Sequence, residues 1–156
     1  MKASPQPLHI VLVDDDDGHA ALVQLNLERS GLINTFTRLS DGQEALDYVN
    51  AAGAFAGQTV PEQVLLLLDI KMPRVDGVEV LRRLRAEPRT TTVPVIMLTT
   101  TDDPREIERC YQLGCNVYIT KPVAYQAFVE AIQRLGLFLQ VVAVPRNGGA
   151  WPTEGQ

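Results

Sequence analysis

Five short apolar runs recur along the chain, and behind each lies a stretch whose apolar residues step by three and four. The runs are Leu8-His9-Ile10-Val11-Leu12-Val13, residues 33–39, Val64-Leu65-Leu66-Leu67-Leu68-Asp69, Pro94-Val95-Ile96-Met97-Leu98 and Val117-Tyr118-Ile119-Thr120. Their length and β-branched content predict strands, with His9 at the start of the first. Helices are predicted over about 18–30 (Leu22, Val23, Leu25, Leu27), 44–52 (Ala45, Leu46, Val49) and 77–87 (Val80, Leu81, Leu84). Two more are predicted from Pro104 to 113, behind Asp102-Asp103, and over about 124–139, through Phe128, Ile132, Leu135 and Leu139. Gly31 and Gly114 read as C-terminal stops. Arg82, Arg83 and Arg85 fall off the apolar face of their helix and read as solvated. Strand and helix in alternation, five times over, predict an α/β domain with a parallel sheet and helices on both faces.

The four leucines of the third run mark a strand buried on both sides. It ends on Asp69, and Pro73 with Asp76-Gly77 takes the chain out of the sheet. The second run is less apolar and belongs nearer an edge. Residues 53–63 form a connection longer than usual, a surface embellishment or a contact loop.

Composition narrows the field. The chain has 156 residues, enough for one domain with a real core, and 46% of them are hydrophobic. A net charge of -5 gives no general attraction for nucleic acid or anionic membrane. Residues 1–7 lack the core of a signal peptide, and no apolar run is long enough to span a bilayer, so a cytoplasmic protein is expected. Cys110 and Cys115 read as reduced core residues, with a redox pair as the alternative.

Chemistry collects at the strand ends. The first strand delivers Asp14 and Asp15, the third Asp69, the fourth Thr99 and the fifth Lys121. In an open α/β sheet the carboxyl edge is where ligands bind. Three carboxylates side by side repel and require a cation; Lys121 supplies one charge and a hard divalent ion such as Mg2+ supplies more. A carboxylate can also accept a phosphoryl group, whose oxygens need a metal, an ammonium and a hydroxyl around them. Asp69, central in the sheet, is the best nucleophile, and Asp14 and Asp15 are better placed as metal ligands. Asp16 and Asp17 read as solvated or helix-capping, and His19 as a surface residue of the first helix.

The motifs Val13-Asp14-Asp15, Leu68-Asp69-Ile70-Lys71-Met72-Pro73 with Asp76-Gly77, Pro94 to Thr99, and Tyr118-Ile119-Thr120-Lys121-Pro122 together resemble the receiver domain of bacterial two-component response regulators. The resemblance covers about residues 8–139. It implies a flavodoxin-like fold with strand order 2-1-3-4-5, and a phosphoryl group accepted on Asp69 from a histidine kinase. Asp14, Asp15 and Asp69 match the Mg2+ (or Mn2+) ligands, Asp15 more directly and Asp14 partly through water. The backbone carbonyl of Lys71 would complete that shell. Thr99 and Tyr118 match the switch pair, and Lys121 the phosphoryl-binding lysine. The Lys121-Pro122 bond matches one that is cis in the family. Thr100 stands where Ala or Ser is usual, and its bulk is expected to narrow access to the phosphoryl group.

Residues 140–156 are expected to be an extension and tail with no output module. Phe138, Leu139, Val141, Val142 and Val144 form an apolar strip. With the long connection after the second helix, it resembles the single-domain regulators paired with bacterial phytochromes, in which the extension supports a homodimer. The expected partners are a histidine kinase, such as a bacteriophytochrome, a histidine phosphotransfer protein and a second copy of the chain, without nucleic acid or membrane. Output would pass through a phosphorylation-dependent switch or a phosphorelay. Two other classes compete with a stand-alone response regulator: a scaffold that never takes phosphate, against which the complete Asp, Thr and Lys set speaks, and an aspartyl phosphatase, whose second acid is missing from Asp69-Ile70-Lys71.

Overall fold

The computed structural model describes residues 9–29, 35–61, 63–122 and 124–141, with side chains through residue 134 apart from that of residue 125. The elements are β1 (His9–Val13), α1 (Asp17–Arg29), β2 (Thr35–Leu39), α2 (Gly42–Asn50), a 3-10 turn (Gly53–Phe55), β3 (Val64–Leu68), α3 (Gly77–Ala86), β4 (Val95–Thr99), α4 (Pro104–Leu113), β5 (Val117–Thr120) and α5 (Tyr125–Val141). All strand pairs are parallel, and the order across the sheet is β2-β1-β3-β4-β5.

Side-chain alternation along the buried strands builds two cores. Val11, Val13, Leu66, Leu68, Val95 and Met97 face α2, α3 and α4, whereas Ile10, Leu12, Leu65, Leu67, Ile96 and Leu98 face α1 and α5. A strand clad on both faces must be apolar at every position, which explains the unbroken leucines of β3. The second strand lies at one edge of the sheet and is only partly buried, as is β5 at the other.

Helix starts are fixed by aspartates. Asp41 accepts from the Glu44 N–H, Asp76 from the Glu79 N–H and Asp103 from the Arg105 N–H, each ahead of a helix. Two glycines set the clearance of the loop behind β3. A Cβ at Gly77 would lie 2.0 Å from the Asp69 carbonyl oxygen, and one at Gly42 would lie 1.9 Å from that of Val75. Arg74, at φ 65, places three hydrogen bonds on the Asp41 carboxylate and ties this loop to the start of α2.

Several sequence expectations need correction. The second helix begins at Gly42 rather than 44, because Asp41 is its cap and not merely part of a turn. Leu25 is 44% exposed, since α1 buries the stripe Ala20, Val23, Asn26 and Leu27 instead. Arg85 is not solvated: it is half-buried and donates to the carbonyls of Gly114 and Thr91 and to Asn116 Oδ1, joining α3 to the turn before β5. The Lys121-Pro122 bond, expected cis, is trans, as are all peptide bonds among the described residues. The intrinsic preference for trans before proline is only about 0.5–1 kcal/mol, so the sequence alone does not fix the isomer. The fifth helix reaches Val141, beyond the expected 139. Gly31 lies outside the described residues, as do Val142, Val144 and the side chains of Phe138, Leu139 and Val141.

Candidate functional site

The parallel register brings four strand ends to one edge. Val13 pairs with Leu68, Leu68 with Met97, and Thr99 with Thr120, so the residues that follow emerge side by side. Asp14, Asp15 and Asp69 each bring a carboxylate oxygen within 4.8 Å of the others. Lys121, 2% exposed, places Nζ 2.6 Å from Asp14 Oδ2 and 3.2 Å from Asp69 Oδ2.

The three acids are not equivalent. Asp14 is fully buried, and both its oxygens are engaged, Oδ1 by the Asp16 N–H and Oδ2 by Lys121. Burial raises its carboxyl above the usual range, and the hydrogen bonds from Lys121 and the Asp16 N–H oppose that shift. Asp69 is half-buried, with Oδ1 accepting from the Ile70 N–H at 2.7 Å. Asp15 is exposed and has no hydrogen bond or ion pair among the described residues. One carboxylate is thus free while the other two are engaged.

Thr99 closes the site from β4. Its Oγ1 is the one fully buried side-chain polar atom without a hydrogen-bond partner among the described residues. A buried hydroxyl left unpaired costs about 1–3 kcal/mol, so its placement calls for a ligand. With three carboxylates against one ammonium, the donor set suits a hard divalent cation together with an oxyanion. Mg2+ or Mn2+ fits these residues.

The remaining candidates surround this centre. Lys71 is exposed and lines an open depression with Asp15, Ile70, Met72, Pro73 and Asp76. Thr100 is exposed beyond the end of β4, so its bulk stands at the rim. Tyr118 is half-buried; its hydroxyl donates to the Thr101 carbonyl, and its N–H donates to the Tyr111 hydroxyl. Burial pushes the Tyr118 phenol up, which keeps it a donor.

Two residues were missed as parts of the site. Arg38, on β2, donates to the Asp14 carbonyl from Nε (3.0 Å) and from its second guanidinium nitrogen (2.7 Å), and to Asp17 at 2.8 Å. It clamps the acidic loop, and a lone arginine in a strand was the available signal. His19, read as a surface residue, is 37% exposed and turns its Nδ1 to within 3.4 Å of Lys121 Nζ. Asp16 accepts from the His19 N–H and caps α1, as expected. Cys110 and Cys115 are free and buried, their thiols pushed up to about 11 and about 12 by burial.

Known proteins carry the same frame. The receiver structure from Rhodospirillum rubrum is 44% identical, with TM-score 0.79, over 91% of this chain and 100% of that one. Response regulator Rcp1 of Synechocystis is 31% identical over 91% of this chain and 96% of its own length. The structure of Rcp1 in its Mn2+-bound form aligns with TM-score 0.82 at 30% identity, over 89% of this chain and 99% of that one. The phosphorylated cyanobacterial phytochrome response regulator RcpA aligns with TM-score 0.81 at 29% identity, over 91% and 99%. The response regulator receiver domain model matches residues 10–133, a span that holds both cores and every strand end described above. Fold, edge chemistry and relatives agree, and the chain belongs to the response regulator receiver family.

Proposed function

We propose that the protein is a response regulator that accepts a phosphoryl group on Asp69 from a histidine kinase. The observation that carries this reading is the pairing of a three-carboxylate cluster with the unpartnered Thr99 hydroxyl and the buried Lys121 ammonium. The likeness to the Mn2+-bound form of Rcp1 supports a divalent cation, Mg2+ or Mn2+, on Asp14, Asp15 and Asp69, with the Lys71 carbonyl as a further ligand. When bound, the cation supplies positive charge to the transferring phosphoryl oxygens.

An Asp69 oxygen attacks the phosphorus of the donor phosphohistidine; the new O–P bond forms as the P–N bond breaks. The electron pair stays on the imidazole nitrogen, which takes a proton from solvent. Lys121 holds one phosphoryl oxygen by charge and hydrogen bond, and Thr99 donates to another. On phosphorylation the Thr99 hydroxyl moves to the phosphoryl group, Tyr118 swings inward with it, and the face formed by α4, β5 and α5 is biased. Output runs by protein–protein contact or by relay to a histidine phosphotransfer protein. The likeness to RcpA favours a phytochrome-type kinase, and the strip from Phe138 to Val144 favours a homodimer.

Intact-mass spectrometry with acetyl phosphate, and then with a histidine kinase, tests the reading. One Mg2+-dependent phosphoryl adduct is expected, absent from Asp69→Asn. Its absence with both donors in folded, Mg2+-binding protein would leave a phosphate-independent scaffold. Sedimentation as a monomer at high concentration would remove the dimer.

A further inference from the structure

His19 makes contacts that no part of the phosphoryl-transfer scheme uses. A lysine ammonium has three donors and no acceptor. Among the described residues, the acceptors around Lys121 Nζ number three: Asp14 Oδ2 at 2.6 Å, Asp69 Oδ2 at 3.2 Å and His19 Nδ1 at 3.4 Å. Each comes from a different element, the loop after β1, the end of β3 and the first turn of α1. His19 is itself held from two sides. Its backbone N–H donates to Asp16 Oδ1, and its ring packs on that of the buried Phe128 from α5, with centroids 5.2 Å apart.

We infer that His19 is a positioning residue for the phosphoryl-binding lysine, acting through an Nδ1 lone pair that takes the third proton of Lys121. The inference rests on the receiver reading for its consequence but not for its geometry. An ammonium cannot accept, so a bond at this nitrogen requires the proton on Nε2. Asp16 Oδ2, 3.7 Å from the same Nδ1, is the acceptor that the opposite tautomer would use. With the third bond in place, Nζ is drawn toward α1 and away from full contact with Asp69. Without it, the ammonium settles on the two carboxylates, neutralises the nucleophile and must be pulled off it before attack.

Two measurements test this. In 15N-labelled protein, the imidazole spectrum of His19 is expected to show the Nε2–H tautomer; an Nδ1–H tautomer overturns the inference, whether or not the protein takes phosphate. With acetyl phosphate and Mg2+, His19→Leu is expected to form the adduct about fivefold more slowly, the effect of one weak hydrogen bond on a rate. His19→Asn, whose Oδ1 can stand where Nδ1 stands, is expected to return the rate to within about twofold of the original. His19→Leu at the original rate, or His19→Asn as slow as His19→Leu, overturns the inference. Loss of the adduct from the original protein would instead defeat the receiver reading, and the tautomer would still decide the contact.

Discussion

The two ends of the central strands bury polar groups in opposite ways. At the amino end, the His9 imidazole offers Nδ1 to the Thr35 hydroxyl and Nε2 to that of Thr37, and its ring stacks on Tyr48 at 6.1 Å. Tyr48 in turn meets Phe55 edge to face at 5.3 Å, which seats the long connection after α2 on the bottom of the sheet. Both histidine nitrogens have a partner, and all of the partners are neutral. At the carboxyl end, three acids crowd one ammonium and the Thr99 hydroxyl has no partner among the described residues. A polar cluster that satisfies itself is structure; one that leaves charge and donors unspent is prepared for something that arrives.

Substitutions can sharpen that contrast. The largest effect is expected from Lys121→Met, which leaves the buried Asp14 carboxylate without its cation. About 3–5 kcal/mol should be lost in urea unfolding without metal, with part recovered in Mg2+. Mg2+ itself should stabilise the original protein by about 2.7 kcal/mol at 100 times its dissociation constant, and much less in Asp15→Asn. Thr37→Val should cost about 1–3 kcal/mol, because it leaves a histidine nitrogen unpaired. Thr99→Val should cost close to nothing in stability while abolishing the switch, read as an unchanged Tyr118 environment after phosphorylation. Equal losses for the two threonine variants would erase the distinction between the ends.

The smallest effect concerns pH. Burial lowers the His9 imidazole below its ordinary 6.5. The folded protein therefore binds fewer protons here than the unfolded chain, and stability falls with acid. The contribution is whole above about 6.5 and is lost as the pH drops toward the folded value. Urea midpoints at pH 7.5 and 5.5 should show this decline, and His9→Gln should flatten it.

The sequence showed the strand ends because a strand buried on both faces has to be apolar throughout, so its first polar residue announces the edge. Asp14, Asp69 and Thr99 were legible for that reason, and the parallel order brought them together. Arg38 and His19 were hidden because their reach crosses from β2 and α1 to residues that periodicity says nothing about. Leu25 misled for a related cause: α1 has apolar residues on more than one stripe, and packing against α5 chose Val23 and Leu27. Asp41 was legible in retrospect, since Asp41 and Glu44 have the spacing of a helix cap.

Gly77 in the loop behind β3, and Gly42 at the start of α2 against that loop, set how this protein can vary. A leucine in the sheet can become isoleucine or methionine with local repacking at a cost usually under about 1.5 kcal/mol. Gly77 and Gly42 have no such neighbours in sequence space, because any side chain starts inside a backbone carbonyl. In a saturation library scored for folding, those two positions should admit almost no replacement, whereas Asp69 should admit several. The residue proposed to carry the chemistry would then be among the freer ones by fold alone, and the loop that presents it among the most constrained.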